Sequence, residues 1–551
     1  MNSSHRNRLP FRPPVREHFS HFVYVFSADL LADKDGRRDL DAVASLRDDW
    51  AHWLAKTDSA EMESTIDDSY FFLRHLRRLI FPEFVVRRLG GADDLNLDDA
   101  AGVAQALGGT PLDELITTMR NAAEIADYSE RAILRLRYLN LESDGLDSLT
   151  TTMDETDYNA RVDYLDVCLF PDCRGILIVR LSAFARADGE PITTVELGRL
   201  LRRLKGIHFR QRYVVGLSHP VFPSGLVSWV KMLDSVLARL TTRSVSKATQ
   251  DGADSRFHKQ SFVAVRKSDE IREKPRGVAF ESNLERMLFE FGTGHRTTDS
   301  QEVPTASRVD EVRKGMVDQW VNFGALAFWD DVTFYIQDRT DTTDPPPGGG
   351  EDRYARISYP RQVENSYLWL YVLAEYQRAT LSDYTVRLVQ LGLDDYRDLD
   401  RALGVTNEYL RFRNLYWFRD ATQSQLGMAI HAAIMRMEGL ADLMLALDGQ
   451  FGLVTGQFSI EHDEDAAARS RAANVLLSLL GIVGVPMTVV ATVMATSLAS
   501  ASFLARLPAR DAWAIFVGAF VVLLLVVGAW MWWSASRVVK KRLANRRVRN
   551  V

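Results

Sequence analysis

Cysteine is nearly absent: Cys168 and Cys173 are the two in a chain of 551 residues. Five positions apart in LDVCLFPDC, they offer neither a disulfide framework nor a zinc-site spacing, and they suit a reducing compartment. They read as two thiols flanking a Pro-Asp turn in a β-hairpin. The basic N-terminal stretch MNSSHRNRLPFRPPVREHF has no apolar core behind it, so it is not a secretory signal. Catalytic signatures are missing as well. There is no phosphate loop, no GxGxxG, no HExxH and no nucleophile elbow, and the eleven histidines form no i, i+4 metal pair. The expectation is a protein that is not an enzyme and needs no resident cofactor. A net charge of -6 argues against a partner that is a nucleic-acid polymer. Upstream of Arg471 no apolar run is long enough to cross a bilayer.

What is present first is an alternation of strand and helix patterns over residues 1–355. FVYVFSADLL near Phe22, YLDVCLF and GILIVRLSAF around Cys168, RYVVGLS at Arg212, SFVAVR at Ser261, and ALAFW with VTFYIQ around Trp329 read as strands. STIDDSYFFLRHLRRLIFPEFVVRRL and VELGRLLRRLKG read as amphipathic helices. The mixture predicts an α/β or α+β cytoplasmic domain. TTRSVSKATQDGADS and TTDSQEVPTASR read as surface loops, and DTTDPPPGGGED, Asp341 to Asp352, as a flexible connector. Residues 356–471 read as a long-helix stalk: no proline occurs between Pro360 and Pro486, and apolar residues keep helical spacing through ENSYLWLYVLAEYQRATLSDYTVRLVQLG and LGMAIHAAIMRMEGLADLMLALD. Gly449, Gly452 and Gly456 weaken an unbroken rod, each costing ~1 kcal/mol relative to Ala. Two basic clusters stand out, Arg74, Arg77, Arg78, Arg87 and Arg88, then Arg199, Arg202, Arg203 and Lys205. They read as surface charge, or as receivers of a small anionic ligand.

The last eighty residues differ in kind. Val475 to Met494 is twenty residues without a charge, and Trp513 to Trp533 is a second span of twenty-one. Each is about the ~20 residues that a helix needs to cross the hydrocarbon core. Trp513, Trp530, Trp532 and Trp533 fit the two aromatic belts. The expectation is a transmembrane hairpin over 472–533, with its first helix at about 475–500 and its second at about 513–533, joined by a short loop. The tail, 534–551, carries Arg537, Lys540, Lys541, Arg542, Arg546, Arg547 and Arg549 and no acid. Arg469 and Arg471 precede the first span, whereas the loop has only Arg506 and Arg510. Positive charge marks the cytoplasmic side. The reading is an inner (plasma) membrane protein with two spans and both termini in the cytoplasm.

On the first span Asn474, Ser478, Gly481, Val485, Thr488, Thr492 and Thr496 fall within a sector of roughly 80°. All but Val485 are small or polar. Such a stripe is either a packing face between helices or, in a ring of copies, the lining of a pore. Below it, Glu461, Asp463, Glu464 and Asp465 read as a solvated face, or as acids that concentrate or bind cations at an inner mouth.

A large cytoplasmic domain, long helices, two C-terminal spans, a short outer loop and a basic tail resemble the CorA family of divalent-cation channels. The local sequence VPMTVVATVMATSLAS is similar to the family's pore helix, with Pro486 at the helix kink and Thr488 two places on. The resemblance implies a homo-oligomer, most simply a pentamer, in a lipid bilayer, with magnesium or another divalent cation as the transported or regulatory ion. The family's Gly-Met-Asn signature is replaced here by Ala495, Thr496 and Ser497. A serine hydroxyl offers no amide carbonyl to a hydrated ion, and Arg506, Arg510 and Asp511 place a net positive charge on the outer loop. The expected function is a cation channel with altered or relaxed selectivity. The alternative is a CorA-like membrane effector of a defence system, gated by a nucleotide messenger bound to the cytoplasmic domain, as implied by CorA-like proteins that lack the signature.

Overall fold

The computed structural model describes residues 15–34, 36–46, 48–53, 71–80, 132–153, 155–205, 229–242, 257–266, 269–275, 279–293, 297, 304–318, 320, 323–338, 357–393 and 399–453. These residues contain one mixed sheet of ten strands: β1 (Val15–Ser27), β2 (Trp50–His52), β3 (Leu134–Tyr138), β4 (Ser148–Met153), β5 (Thr156–Leu169), β6 (Arg174–Arg186), β7 (His258–Arg266), β8 (Met316–Val317), β9 (Phe323–Phe328) and β10 (Asp331–Asp338). The order across the sheet is β2-β3-β5-β6-β1-β7-β10-β9-β8, with β4 beside β5. β7 and β10 run parallel, and the other paired strands are antiparallel. Long central strands carry buried side chains on both faces, so they read as near-continuous apolar runs. On β1, Phe19 and Val23 belong to one core, while Phe22 and Tyr24 belong to the other.

The helices are α1 (Leu40–Ala44), α2 (Arg74–Ile80), α3 (Thr194–Lys205), α4 (Trp229–Leu237), α5 (Asn283–Thr293), α6 (Ala306–Lys314), the composite α7, α8 (Leu399–Leu415), α9 (Gln425–Met437) and α10, over residues 440–453. The composite α7 starts as Tyr359–Gln362, passes through a π-helical turn at Val363–Tyr367 and continues as Leu368–Leu393. α3 shows why the sequence folds so. Thr193 and Glu196 close a capping box, with the Thr193 N–H donating to Glu196 Oε2 at 2.8 Å and the Glu196 N–H to Thr193 Oγ1 at 3.3 Å. Leu197, Leu200, Leu201 and Leu204 then line one face. α3, α4, α5 and α6 cover the Phe22 face of the sheet, and α2, α7, α8, α9 and α10 cover the Phe19 face.

The helices grouped as a stalk by their sequence pattern are, up to Phe451, the third layer of this domain. From Tyr367 to Gln377 every residue of α7 is at most 2% exposed. A helix that is apolar all round is a buried one. Residues to Gly452 form one compact unit, and those from Leu453 belong to a second. The run LGMAIHAAIMRMEGLADLMLALD is also two helices rather than one. α9 ends at Glu438, Gly439 takes φ +65°, and α10 restarts with Leu440, Met444, Leu447 and Phe451 buried at helical spacing. The left-handed backbone at the residue after a helix end is the one glycine adopts without cost. α10 runs through Gly449 and Gly452 without interruption.

RYVVGLS, the 341–352 connector, Arg87, Arg88 and all of 454–551 lie outside the described residues. Among the described residues no helix is long and apolar enough to cross a membrane.

Gly315, between α6 and β8, is a close-approach glycine. A Cβ there would lie 1.9 Å from the Ala327 carbonyl oxygen of β9. Because that neighbour is backbone, Gly315→Ala should destabilise the domain by ~3 kcal/mol or more, measurable as a lowered melting temperature.

Candidate functional site

The pore-stripe residues Asn474, Ser478, Gly481, Val485, Thr488, Thr492 and Thr496 lie outside the described residues. So do Pro486, Ala495 and Ser497, the acids Glu461, Asp463, Glu464 and Asp465, and the tail residues Lys540, Lys541 and Arg542. The helices that carry the basic clusters, α2 and α3, cover opposite faces of the sheet. On α3, Arg202 faces solvent, while Lys205 reaches back under the sheet to Asp330 at 2.7 Å and Asp331 at 2.8 Å.

One cavity, of about 300 Å³, opens where β1 parts from β6. Pairing between the two strands begins at Phe19 and Ser182. Before that point β1 turns away, and the Val15 N–H bonds to Ile192 O at 3.1 Å. β6 stays with β5 as far as Arg186, through a register shift. Ala183 sits in this gap at φ +52°. The three other non-glycine residues with positive φ among the described residues, Glu155, Cys173 and Trp329, lie in hairpin turns; Ala183 alone lies within a strand. Strained backbone and bulges of this sort collect at binding sites.

The cavity lining combines Arg16, Arg161 and Arg180 with Glu17, His18, Ser182 and the apolar Phe184 and Ile192. His18 bonds through Nε2 to Ser20 Oγ at 2.9 Å, and Ser20 bonds Ser261 Oγ at 2.7 Å. Its Nδ1 is buried and meets no partner among the described residues. Burial, reinforced by Lys259 and Arg180, lowers the His18 imidazole to about 3, so it is neutral at physiological pH. A neutral imidazole with one open nitrogen, a hydroxyl and guanidinium groups can bind a small polar molecule, although Arg161 and Arg180 are already paired with Asp163 and Glu364.

Behind the cavity, a column of buried charge ties the sheet to α7. Asp166 on β5, fully buried, accepts from Arg135 Nε at 2.7 Å and from Arg137 Nε at 2.8 Å, both on β3. Arg135 lies over the Trp53 ring at 4.6 Å and Arg137 over Tyr164 at 4.4 Å. Burial alone would raise the Asp166 carboxyl, but Arg137 and Arg135 hold it below the ordinary carboxylate range. Arg180 bridges Asp163 on β5 and Glu364, its Nε lying 2.7 Å from Glu364 Oε1 in the π turn of α7. A second cluster lies nearer the β7–β10 pair, where His258 Nδ1 meets Glu375 Oε1 at 2.7 Å and Arg378 Nε meets Glu375 Oε2 at 3.0 Å.

Sequence reasoning missed these groups. LRLRY and YLDVCL carried the signal as alternating charge inside strand patterns, but which charges face one another is set by register. Among the described residues no group of three or more His, Cys, Asp or Glu side chains is arranged to hold a metal ion. Cys168 and Cys173 are free, buried thiols on either side of the β5–β6 turn. No protein-family model, no curated protein and no solved structure shows a significant match to this chain.

Asp166→Asn keeps the shape and removes the charge shared by two guanidinium groups. It should cost ~3 kcal/mol or more, since a buried cation is left without its partner. The depressed pKa also fixes a sign. The wild type holds this stability above the unfolded aspartate pKa and loses it as the pH falls through the lower folded value. Acid unfolding curves should therefore be shallower for the variant below about pH 4.

Proposed function

We propose that this chain is a homo-oligomeric membrane channel for cations, most simply a pentamer, with altered or relaxed selectivity and a cytoplasmic domain built of residues up to about 452. The observation that carries the reading is the pair of uncharged runs, Val475–Met494 and Trp513–Trp533, with cationic residues gathered outside them in the tail. Support comes also from the polar stripe centred on Thr488 and Thr492, which a lone hairpin would turn toward lipid and a ring would turn toward water. The resemblance to CorA channels fits both features. Ala495, Thr496 and Ser497 in place of Gly-Met-Asn favour weak magnesium selectivity, and Glu461, Asp463, Glu464 and Asp465 would gather cations at the inner mouth.

A second reading is favoured by the cavity between β1 and β6 together with the missing signature. In it the same pore serves as a membrane effector that opens when a small organic anion, such as a nucleotide messenger, occupies the cytoplasmic domain. The anion would be held by Arg16, Arg161 and Ser182 at the rim and by the open His18 nitrogen within.

Replacing Thr492 with Leu would place one bulky apolar side chain per copy at a single level and favour dewetting of the pore. The expected outcome is loss of cation flux from proteoliposomes, with the melting temperature of the oligomer unchanged, and Thr492→Ser should be nearly silent. If the stripe is a packing face, Leu overpacks it at a cost of ~1–3 kcal/mol and the oligomer loosens; that result, with no flux from the parent, rules the channel out.

A further inference from the structure

Glu438 caps the C-terminal end of α9 at φ −83° and ψ −5°, and Gly439 follows at φ +65° before α10 begins. The stem of the side chain is half-buried, but both carboxyl oxygens are buried and meet no hydrogen-bond partner among the described residues. The groups that face it come from three elements: Glu375, Arg378 and Tyr371 on α7, His258 on β7, and Asp330 in the β9–β10 turn. On its own helix Arg436 points elsewhere, donating to Lys314 O at 2.8 Å.

The two basic side chains of this pocket are already committed. His258 and Arg378 both bind Glu375, and Arg378 Nη2 also lies 2.8 Å from His258 Nε2. Glu438 is thus a second acid beside an ionised one. Burial, and then the charge of Glu375, push its carboxyl well above the ordinary range, against the pull of Arg378 and His258. It therefore keeps its proton at a pH where an exposed glutamate is already ionised.

We propose that Glu438 is a proton-operated latch on the α9–α10 hinge, holding the hinge closed while it is protonated and leaving the interior through rotation at Gly439 once it is ionised. Two observations independent of its acidity carry this: a buried carboxyl with both oxygens unpartnered, and the left-handed glycine directly after it. α10 leads through residues 454–474 to the first uncharged run. On the channel reading, which this one step rests on, the latch would pass cytoplasmic pH to the pore. Opening of the hinge itself stands apart from that reading.

The sign follows from the raised pKa. Protonated Glu438 contributes stability that is present below the unfolded glutamate pKa and is lost as the pH rises through the higher folded value. The test is hydrogen exchange at the amides of residues 436–443 in the full-length protein in detergent, corrected for intrinsic base catalysis, between about pH 6 and about pH 10. The wild type should lose protection roughly tenfold per pH unit between the unfolded glutamate pKa and the higher folded one, one proton being released on opening, and should level off above the folded value. Glu438→Gln and, in case its amide perturbs folding, Glu438→Met should both be flat. An equal pH slope in the wild type and in a folded variant overturns the proposal. Flux against pH is measured separately. A pH-dependent hinge in a chain that conducts no ions would sink the channel reading and leave the latch standing.

Discussion

From Tyr367 to Gln377 the helix α7 has no solvent face, so every polar group it carries must find its partner inside the domain. Much of the surrounding arrangement follows from that constraint. Gln377 donates to the Tyr416 carbonyl at 2.8 Å, fixing the end of α8 against α7. Tyr371 donates to the Asp330 carbonyl at 2.7 Å, pinning the β9–β10 turn. Glu375 is ionised only because His258 and Arg378 converge on it. About three turns toward the N-terminus, the Val363 carbonyl of the π turn accepts from the Leu368 N–H and also from Gln260 of β7 at 2.9 Å. π turns recur where a helix must offer backbone groups sideways.

The same constraint explains why charge lies at the sheet–helix boundary instead of in the apolar cores. An ionised pair taken from water repays its desolvation only when nearly all of its hydrogen bonds are made. Asp166 with Arg135 and Arg137 meets that condition, with aromatic rings over both guanidinium groups. Glu438 does not, and its carboxyl is pushed well above the ordinary range. The two behaviours sit on one face of one sheet and differ in whether the basic groups within reach are free to pair, since His258 and Arg378 are taken by Glu375. The cavity between β1 and β6 lies beside the satisfied column, so Arg180 is rigidly placed by Asp163 and Glu364 while a face of it still borders the open space.

Much of the described domain was legible one element at a time. β1, β5, β6, β7, β9 and β10 coincide with runs of alternating or continuous apolar residues, and α3 with its leucine repeat and capping box. The short or polar strands β2, β3, β4 and β8 were not, because two to six residues, with arginines alternating in β3 and three threonines in a row in β4, carry too little apolar signal. The break at Gly439 was written in the sequence as a glycine, but so were Gly449 and Gly452, which α10 absorbs. What separates them is the buried stripe of Leu440, Met444, Leu447 and Phe451, which restarts in a new phase after Glu438 and leaves the later glycines within an uninterrupted helix.

By itself the sequence determined the properties that are local along the chain: the segregation of two uncharged runs from everything upstream, the basic tail, and the helix and strand periods. These are sums of transfer free energies and dihedral preferences over neighbouring residues, and they need no knowledge of distant ones. Tertiary structure alone decided that the helices after Tyr359 close over the sheet, and that charges far apart in the chain are partners. Arg135 and Asp166 are 31 positions apart, and His258 and Arg378 are 120. Ion pairing and desolvation act through space in a medium of low polarity, so the state of each charge depends on which strands the fold sets side by side.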